Sequence, residues 1–417
     1  MKINSNKILI AALLLASLSC SSKDEPTPPP AVIPVTPITT VTPSITEPNM
    51  TTANTKTFLV DKDATLETVA MFYNLKKLAK TKIAIGQQGA FTDFYQDAGG
   101  DSDIKKTTGS DPAILGSDFM FITDKMNDEK PSNWFFQQEQ KTIDAVIKAY
   151  NKGVINTFCW HLREPIEEKS FYVSEMTNAQ KMNGFKSIMP GGTYHEWYKK
   201  KLDKIALVFG RLKGSKGELI PVIFRPFHEF DGSWFWWGAD FCSPEEYKTM
   251  YKFTVDYLKT TKGVHNLLFA FGPDNTYDTE AKYLSRYPGD EYVDVLGMDN
   301  YWDLSGKVTN GVTIANKKLG VISDLAKARG KIAALTETGY QITSTNGPIT
   351  GWFSDWVYPA TTNNNVELSF VMFWGNDKNA YFVPSPAGIT APDFKTYVAK
   401  PKSVLLNELP KMYELPK

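Results

Sequence analysis

The chain has 417 residues, and its 46 acidic side chains balance 46 basic ones. A formal net charge of zero argues against a nucleic-acid partner, which would favour a basic face. Apolar residues make up 42% of the chain and aromatic residues 13%, which is enough for a large core and for flat aromatic binding surfaces.

The first nineteen residues indicate an export signal. Lys2 and Lys7 supply a positive region, and the apolar stretch from Ile8 to Leu18 is too short to span a bilayer. The end of this segment resembles a bacterial lipoprotein signal, in which Cys20 becomes the acylated N-terminus, although Ser17 stands where an aliphatic residue is usual. We therefore expect a lipoprotein signal peptide over residues 1–19 and lipidation at Cys20, with ordinary cleavage as the alternative.

Residues 20–55 are expected to form a disordered linker. They are dominated by Pro, Thr and Ser and cannot bury enough apolar surface to order themselves. The acidic cluster at residues 21–25 resembles sorting signals on surface-exposed lipoproteins of Bacteroidetes. We expect an exported outer-membrane lipoprotein on the cell surface, with a periplasmic location as the alternative. It would be a monomer that touches the membrane only through its lipid anchor.

Residues 56–417 form one globular region in which eight short apolar runs alternate with helix-like segments. Runs without polar alternation are typical of strands buried on both faces of a parallel sheet. No G-x-G-x-x-G motif follows the first run, so a dinucleotide-binding doubly wound sheet is disfavoured. The sequence predicts a (β/α)₈ TIM barrel as a single catalytic domain. The predicted strands are Ile83–Gln87, Ala113–Ser117, Val154–Trp160, Val222–His228, Asn266–Gly272, Val293–Met298, Ile332–Glu337 and Leu368–Trp374.

Local signals place helices between these strands. Ser243, Pro244 and Glu246 combine an N-cap, a first-turn proline and a capping-box glutamate. Gly330 is expected to end a later helix.

Apart from Cys20, the cysteines are Cys159 and Cys242, whose spacing forms neither a disulfide framework nor a zinc site. We expect two buried free thiols, no metal and no cofactor.

Polar and aromatic residues follow the predicted strands, where barrel enzymes form their active sites. In chain order they are Gln87, Asp118, Trp160, His161, His228, Glu229, Asp274, Asp299, Tyr301, Glu337 and Trp374. These residue types are the ones that handle sugars. Asp118 and Asp274 are the weaker candidates among them.

Glu229 follows the fourth run directly, and Glu337 ends the seventh run. Glycoside cleavage needs two carboxyl groups, one protonated to assist the leaving oxygen and one ionised to attack the sugar. A barrel can bring strands four and seven to face each other at roughly the 5 Å that retention of configuration requires. The alternative for each glutamate is a strand-end salt bridge or a helix cap.

Further candidates surround this pair. His161 and His228 are expected to contact sugar hydroxyls, with a buried structural role as the alternative. Trp234 and Trp374 are candidate platforms, because the apolar face of a pyranose stacks on flat aromatic rings.

Tyr301 and Asp299 complete the candidate site. Tyr301 can reach the nucleophile and hold it ionised, since a hydrogen bond to the charged form lowers a carboxyl pKa. Glu229 needs the reverse, a raised pKa until it has given up its proton. Asp299 could orient His228 or another cleft residue, with helix capping as an equal alternative.

These motifs resemble glycoside hydrolase family 26, the β-mannanases. The segments from Arg225 to Glu229 and from Gly232 to Gly238 resemble the family's acid/base motif, and Glu337 in Leu-Thr-Glu-Thr-Gly is similar to its nucleophile motif. The resemblance implies Glu229 as the acid/base, Glu337 as the nucleophile, and Tyr301 bonded to Glu337. It places the two histidines and two tryptophans named above around the sugars next to the scissile bond.

The resemblance further implies a retaining endo-β-1,4-mannanase that acts on mannan, galactomannan or glucomannan without a cofactor. Gly375 departs from the pattern, because some members carry an arginine there that grips a distal sugar. Three alternatives remain open at this point. The enzyme could be exo-acting and release mannobiose, it could prefer mixed-linkage β-glucan or β-1,3-xylan, or the chain could be a non-catalytic glycan-binding lipoprotein.

Overall fold

The computed structural model describes residues 45–416. The expected signal peptide, Cys20 and the linker up to residue 44 lie outside the described residues. Residues 45–55, which the sequence assigns to the linker, lie against the globular body instead. Glu47 forms ion pairs with Lys76 (3.1 Å) and Lys80, and Thr55 is fully buried. The globular body therefore begins before residue 56.

Eight parallel strands close into a barrel in sequence order, because the first strand pairs with both the second and the eighth. The prediction of a (β/α)₈ barrel is confirmed. A short ninth strand, which the sequence analysis missed, pairs in parallel with the start of the first. The strands are β1 Ile83–Gln88, β2 Ile114–Asp118, β3 Ile155–Cys159, β4 Val222–Arg225, β5 Leu267–Phe271, β6 Val295–Asp299, β7 Ile332–Thr338, β8 Phe370–Phe373 and β9 Ser403–Val404.

The fourth strand is shorter than predicted. It ends at Arg225, whereas the apolar run continues to His228. Pro226 has no backbone N–H to offer a sheet, and Phe227 adopts a left-handed conformation with φ of 50°. The chain therefore turns before His228 and Glu229, so Glu229 lies on a turn instead of directly at the strand end.

Helices surround the barrel, and two of them show the predicted termini. The side chain of Ser243 accepts from Glu246 N (3.2 Å), and Glu246 accepts from Ser243 N (2.8 Å), as predicted for a capping box. Gly330 ends a helix in the left-handed conformation, with φ of 65°. The α-helices are α1 Leu66–Leu78, α2 Asp103–Thr108, α3 Trp134–Lys152, α4 Asn178–Ile188, α5 His195–Arg211, α6 Pro244–Asp256, α7 Glu280–Tyr283, α8 Gly311–Arg329, α9 Tyr358–Thr362 and α10 Ala391–Val398.

The core has two layers, and α1 closes one end of the barrel. Side chains such as Ile114, Ile223 and Phe370 fill the interior and form one cluster with Phe72 and other residues of α1. A second, larger cluster lies between the outer faces of the strands and the helices. With the interior filled, the strand ends that carry the candidate residues are the part of the barrel left for a ligand.

Two further observations concern the described residues. Cys159 and Cys242 are buried free thiols, as predicted. None of the helices in residues 45–416 combines the length and apolar character that crossing a bilayer requires.

Candidate active site

Three carboxylates meet at the C-terminal end of the barrel. Glu337 lies in β7, Asp299 ends β6, and Glu229 lies on the turn that follows β4. One oxygen of each side chain lies within 4.8 Å of an oxygen of the other two. The structure thus brings together the two glutamates that the sequence pairs, at a spacing short enough for both to contact one sugar ring.

The turn that carries Glu229 has an uncommon backbone. Glu229 itself has φ of 52°, a left-handed conformation that costs energy for a residue with a side chain. Its backbone N–H donates to Gly272 O (2.8 Å), and the indole N–H of Trp237 donates to His228 O (2.7 Å). Packing and hydrogen bonds therefore hold the turn in a conformation that the local sequence does not favour.

A buried arginine lies between Asp299 and Glu337. The guanidinium of Arg225 donates to both carboxylates, and Arg225 is only 4% exposed. Gly272 makes room for it, because a Cβ atom there would lie 2.9 Å from Arg225 Cδ. The motif around Arg225 does not by itself predict a role for this residue. A cation at the end of a buried strand that faces acidic strand ends was the available signal.

Asp299 lies beneath the cleft. It is fully buried and accepts from Thr336 Oγ1 (2.6 Å) as well as from Arg225. It therefore makes neither the expected contact with His228 nor a helix cap, and its oxygens are engaged within the protein. Asp299 instead orients another residue of the cleft, because it holds Arg225, and Arg225 in turn holds Glu337. Its contact with a sugar stays a prediction.

The two glutamates have unequal surroundings. Glu337 accepts from Arg225 at one oxygen and from Tyr301 Oη at the other (3.0 Å), and both bonds favour the charged form. Glu229 is half-buried, and the indole N–H of Trp234 donates to it at 2.6 Å. Burial, reinforced by the charges of Glu337 and Asp299, raises the pKa of Glu229 well above its usual value. Glu229 is therefore stabilised as the acid, beside a second carboxyl group whose two oxygens accept from Arg225 and Tyr301.

Asp274 lies behind Glu229, just past the end of β5. Burial and the neighbouring carboxylate of Asp231 raise the pKa of Asp274 to about 7. When ionised, Asp274 adds to the negative charge that raises the pKa of Glu229.

The two expected histidines lie against each other. His161 Nε2 and His228 Nε2 are 3.2 Å apart, and His161 Nδ1 lies 2.6 Å from Asp118 Oδ2. His228 is 1% exposed and His161 is 7% exposed. The structure therefore places both rings in the wall of the cleft, with little of their surface open to a ligand.

Aromatic rings line the cleft beside these residues. Trp234 and Trp374 are half-buried, whereas Trp236 and Trp237 are fully buried. This arrangement agrees with the expectation that Trp234 faces the cleft while the other rings of its segment pack beneath.

Tyr172 is a cleft residue that the sequence analysis missed. It is 42% exposed and stacks on Phe235, with ring centroids 5.4 Å apart. Burial and the charges of Glu229 and Glu337 raise the pKa of its hydroxyl. An isolated β-bridge between Tyr172 and Phe235 brings the loop of Tyr172 to the site. The sequence could not indicate this residue, because it does not lie at the end of a predicted strand.

A groove continues from the site past Trp374. Its volume is about 270 Å³. Gly375 and Gly116 lie in its lining, and Phe121 and Lys141 contribute an aromatic ring and a cation. The groove therefore lies beside Trp374, at the ends of β1 and β2.

The three carboxylates would also be suitable oxygen ligands for a hard cation. In this chain the guanidinium of Arg225 contacts two of them and supplies the local positive charge.

Removal of the guanidinium should strongly destabilise the protein. Arg225→Met leaves two buried carboxylates without a cation, and breaking a buried ion pair from one side costs about 3–5 kcal/mol. The control is Lys282→Met at an exposed pair with Asp278 (3.0 Å), where we expect a loss below about 1 kcal/mol. Urea denaturation measures both free energies of unfolding. Equal losses in the two variants would contradict this account of Arg225.

The chain resembles known proteins of one family. The family model described as glycosyl hydrolase family 26 matches residues 60–367. A mannan endo-1,4-beta-mannosidase of Bifidobacterium adolescentis is 36% identical over 327 residues, which are 76% of this chain and 32% of that protein. A protein of the same name from Bacillus subtilis is 27% identical over 242 residues, or 55% of this chain and 61% of the relative. The chain thus spans less than two thirds of these relatives.

Solved structures give the same family. GH26C from Muricauda sp. MAR_2010_75 is 55% identical, with a TM-score of 0.88 over 89% of this chain and 99% of that one. A double mutant of an endo-beta-1,4-mannanase from Cellulomonas fimi is 32% identical, with a TM-score of 0.78 over 85% of this chain and 79% of the other. The family model covers most of the chain, and the barrel carries its acidic residues at the expected strand ends. The chain belongs to glycosyl hydrolase family 26.

Proposed function

We propose that the protein is a retaining endo-β-1,4-mannanase, with Glu229 as the acid/base and Glu337 as the nucleophile. The observation that carries the proposal is the pair of carboxyl groups with oxygens within 4.8 Å, of which Glu229 has a raised pKa and Glu337 accepts hydrogen bonds from Arg225 and Tyr301. Retaining glycosidases hold their two carboxyl groups about 5–5.5 Å apart, whereas inverting enzymes leave about 6.5–9.5 Å for a water molecule. The proposed substrate, β-1,4-mannan, and the endo mode of action are taken from the names of the relatives.

In the first step, Glu229 gives its proton to the glycosidic oxygen while Glu337 attacks the anomeric carbon. The bond to the leaving sugar breaks, and a covalent glycosyl ester forms on Glu337. Arg225 and Tyr301 bind the two oxygens of Glu337 and so orient the attacking carboxylate. Trp234 holds the Glu229 carboxyl through its indole N–H.

In the second step, water releases the sugar with Glu229 acting as the base. Ester formation removes the negative charge of Glu337, one of the charges that raise the pKa of Glu229. Glu229 therefore becomes a better-stabilised anion at the stage when it must accept a proton from water. The water oxygen attacks the anomeric carbon, and Glu337 leaves as a carboxylate.

Endo action is supported by the groove past Trp374. An enzyme that cuts within a polymer needs binding space beyond the sugar at the scissile bond, and the groove provides about 270 Å³ there. An exo-enzyme that releases mannobiose would need this space closed after two sugars. The product profile on polymer and on short oligomers separates the two modes.

Reducing-sugar release from a substrate panel tests the proposed function. We expect release from mannan, glucomannan or galactomannan, and little from mixed-linkage β-glucan or β-1,3-xylan. A preference for glucan or xylan would assign a different polysaccharide substrate to the same catalytic residues, since substrate choice depends on individual hydroxyl contacts. Binding to mannan with no release from any polymer would replace the hydrolase proposal with a glycan-binding one.

Gly232→Ala should lower activity by displacing Trp234. A Cβ atom at Gly232 would lie 2.2 Å from the indole of Trp234, whose N–H holds Glu229. We expect kcat/KM on mannan to fall by about 10²-fold, the scale of a 1 Å misplacement of a catalytic group. The matched control is Gly210→Ala in α5, where the added Cβ meets no atom within 4 Å. Activity that matches the control would show that the close approach is unimportant.

We also propose that the protein is exported and anchored in the outer membrane through a lipid on Cys20. The lipoprotein-like segment that ends at Cys20 supports this proposal. Cells that express the full chain should incorporate labelled palmitate into the wild-type protein and not into Cys20→Ser. Protease treatment of intact cells then distinguishes the cell surface from the periplasm.

A further inference from the structure

A hydrogen-bonded chain of three side chains crosses the wall of the proposed cleft. Asp118 ends β2, His161 follows β3, and His228 lies on the turn after β4. Asp118 Oδ2 lies 2.6 Å from His161 Nδ1, and the two Nε2 atoms of the histidines lie 3.2 Å apart. These distances leave one arrangement of the ring protons that satisfies the buried groups best.

Asp118 determines the tautomer of His161. Asp118 Oδ1 accepts from the backbone N–H groups of Met120 (2.8 Å) and His161 (3.1 Å), so Oδ2 is left for the ring. An ionised carboxylate only accepts hydrogen bonds, and therefore His161 Nδ1 carries the proton. Burial opposes ionisation, but the contacts from His161 and Met120 outweigh it and hold the pKa of Asp118 below its usual value.

The proton positions in His228 follow from its hydrogen-bond partners. A neutral imidazole carries one ring proton, and Nε2 is the nitrogen of His228 that has a partner, so the proton between the two rings belongs to His228 Nε2 and His161 Nε2 accepts it. His228 Nδ1 is then an unprotonated acceptor. In the described residues this atom is buried and has no hydrogen-bond partner, and a buried N–H without a partner is the rarer case. Burial and the charge of Arg225 hold the pKa of His228 well below its usual value, which keeps the ring neutral.

We propose that Asp118 is a positioning residue for the proposed hydrolase reaction: it fixes His161 in the Nδ1–H form, and His161 in turn holds His228. Both nitrogens of His161 are engaged within the protein. This differs from the expectation that His161 gives a polar atom to the sugar.

These hydrogen bonds connect Asp118 to the residue next to the acid/base, Glu229. His228 directly precedes Glu229, and its carbonyl accepts from Trp237. The His161 ring lies edge-on to Trp374, with ring centroids 6.0 Å apart, and the His228 ring lies edge-on to Phe235 at 5.3 Å. Asp118 thereby holds the two histidine rings that form one face of the cleft. One of these rings belongs to His228, the residue that directly precedes Glu229.

Asp118→Asn should reverse both tautomers. The amide oxygen must keep the position that accepts from the backbone N–H groups of Met120 and His161, which turns the amide NH₂ group toward His161 Nδ1. His161 must then accept at Nδ1 and carry its proton at Nε2. His228 accepts at Nε2 and is left with a buried N–H at Nδ1.

Two-dimensional ¹⁵N NMR of the histidine rings measures these states directly. The chain has four histidines, so His195 and His265 serve as internal references. We expect the wild type to show a protonated Nδ1 in His161 and a protonated Nε2 in His228, and Asp118→Asn to show the reverse. We expect kcat/KM on mannan to fall by about 10–100-fold in the variant, as is usual when a group that orients a functional side chain is lost.

Asp61→Asn is the matched control. Asp61 Oδ2 lies 2.8 Å from His265 Nδ1 at the opposite end of the barrel, ahead of α1 and β5. This variant should change the resonances of His265 and leave hydrolysis unchanged.

The positioning role is overturned by a wild-type His161 that is unprotonated at Nδ1, or by tautomers that reverse in Asp118→Asn with no loss of activity. The wild-type spectrum tests the proton arrangement even if the variant does not fold. The proposed function fails separately, if the wild-type protein shows the expected tautomers but hydrolyses none of the polymers.

Discussion

Replacement of Glu337 by alanine should abolish hydrolysis of β-mannan while leaving the fold intact. The variant lacks the group that attacks the anomeric carbon, and loss of a nucleophile lowers kcat on the order of 10⁴-fold or more. The fold should survive, because the charge of Arg225 keeps a second partner in Asp299. Reducing-sugar release and the thermal midpoint are the two measurements.

Two controls make the Glu337 result specific. Glu175→Gln changes an exposed carboxylate outside the carboxylate cluster and should retain full activity. Sodium azide should restore turnover of an aryl β-mannoside by Glu337→Ala and give the α-mannosyl azide, because the small anion attacks from the face that the carboxylate has left. Substantial unassisted turnover of mannan by this variant would reject Glu337 as the nucleophile.

Replacement of Glu229 by glutamine should separate the two steps of the reaction. The amide cannot donate a proton to the glycosidic oxygen, and loss of general acid catalysis lowers kcat on mannan by about 10²–10⁴-fold. A substrate with an activated leaving group, such as 2,4-dinitrophenyl β-mannoside, needs no such proton. The variant should therefore still release dinitrophenol in a burst and then accumulate the covalent intermediate, which mass spectrometry detects on Glu337. A steady rate without a burst would count against this role of Glu229.

The pH dependence should change in the same variant. Burial and the charge of Glu337 raise the pKa of Glu229 well above its usual value, so the free wild-type enzyme keeps its acid protonated above the range of an ordinary glutamate. As the pH rises through this pKa, the acid is lost and kcat/KM on mannan falls on the alkaline side. Glu229→Gln has no group to titrate there, and its burst rate with the activated substrate should lose this alkaline limb.

The sequence predicts the barrel well because its signal is local. Strands such as β5 are buried on both faces, and an uninterrupted apolar run such as Leu267–Phe271 carries that information without reference to the rest of the fold. The capping box at Ser243 is also encoded within four residues. The short β9 lacks such a signal, because two residues that pair with the edge of β1 form no pattern.

The candidate site is less predictable because its contacts join distant parts of the chain. The sequence indicates which residues follow strands, and the structure brings Glu229, Glu337 and Tyr301 together as that order suggests. The sequence marks Arg225 as a cation at the end of a strand, but it does not identify Asp299 and Glu337 as its two partners, since these contacts span 74 and 112 residues and depend on strand register. The left-handed turn at Glu229 is likewise imposed by tertiary contacts.

The burial of the histidines illustrates the same limit. A histidine at a strand end is a reasonable sugar ligand, and only the three-dimensional neighbours show which of its nitrogens are free. For His161 both nitrogens have partners, Asp118 and His228, which come from neighbouring strands. Side-chain chemistry therefore identifies the candidates, and packing decides how each one can act.

Stereochemistry gives the most direct test of two carboxyl groups that act in turn on one anomeric carbon. Proton NMR of a manno-oligosaccharide digest, recorded within the first minutes, resolves the anomeric configuration of the new reducing end before mutarotation. Two successive displacements predict that the β-anomer appears first and the α-anomer only later. Initial formation of the α-anomer would mean a single displacement by water and would contradict the assignment of Glu337 as a nucleophile.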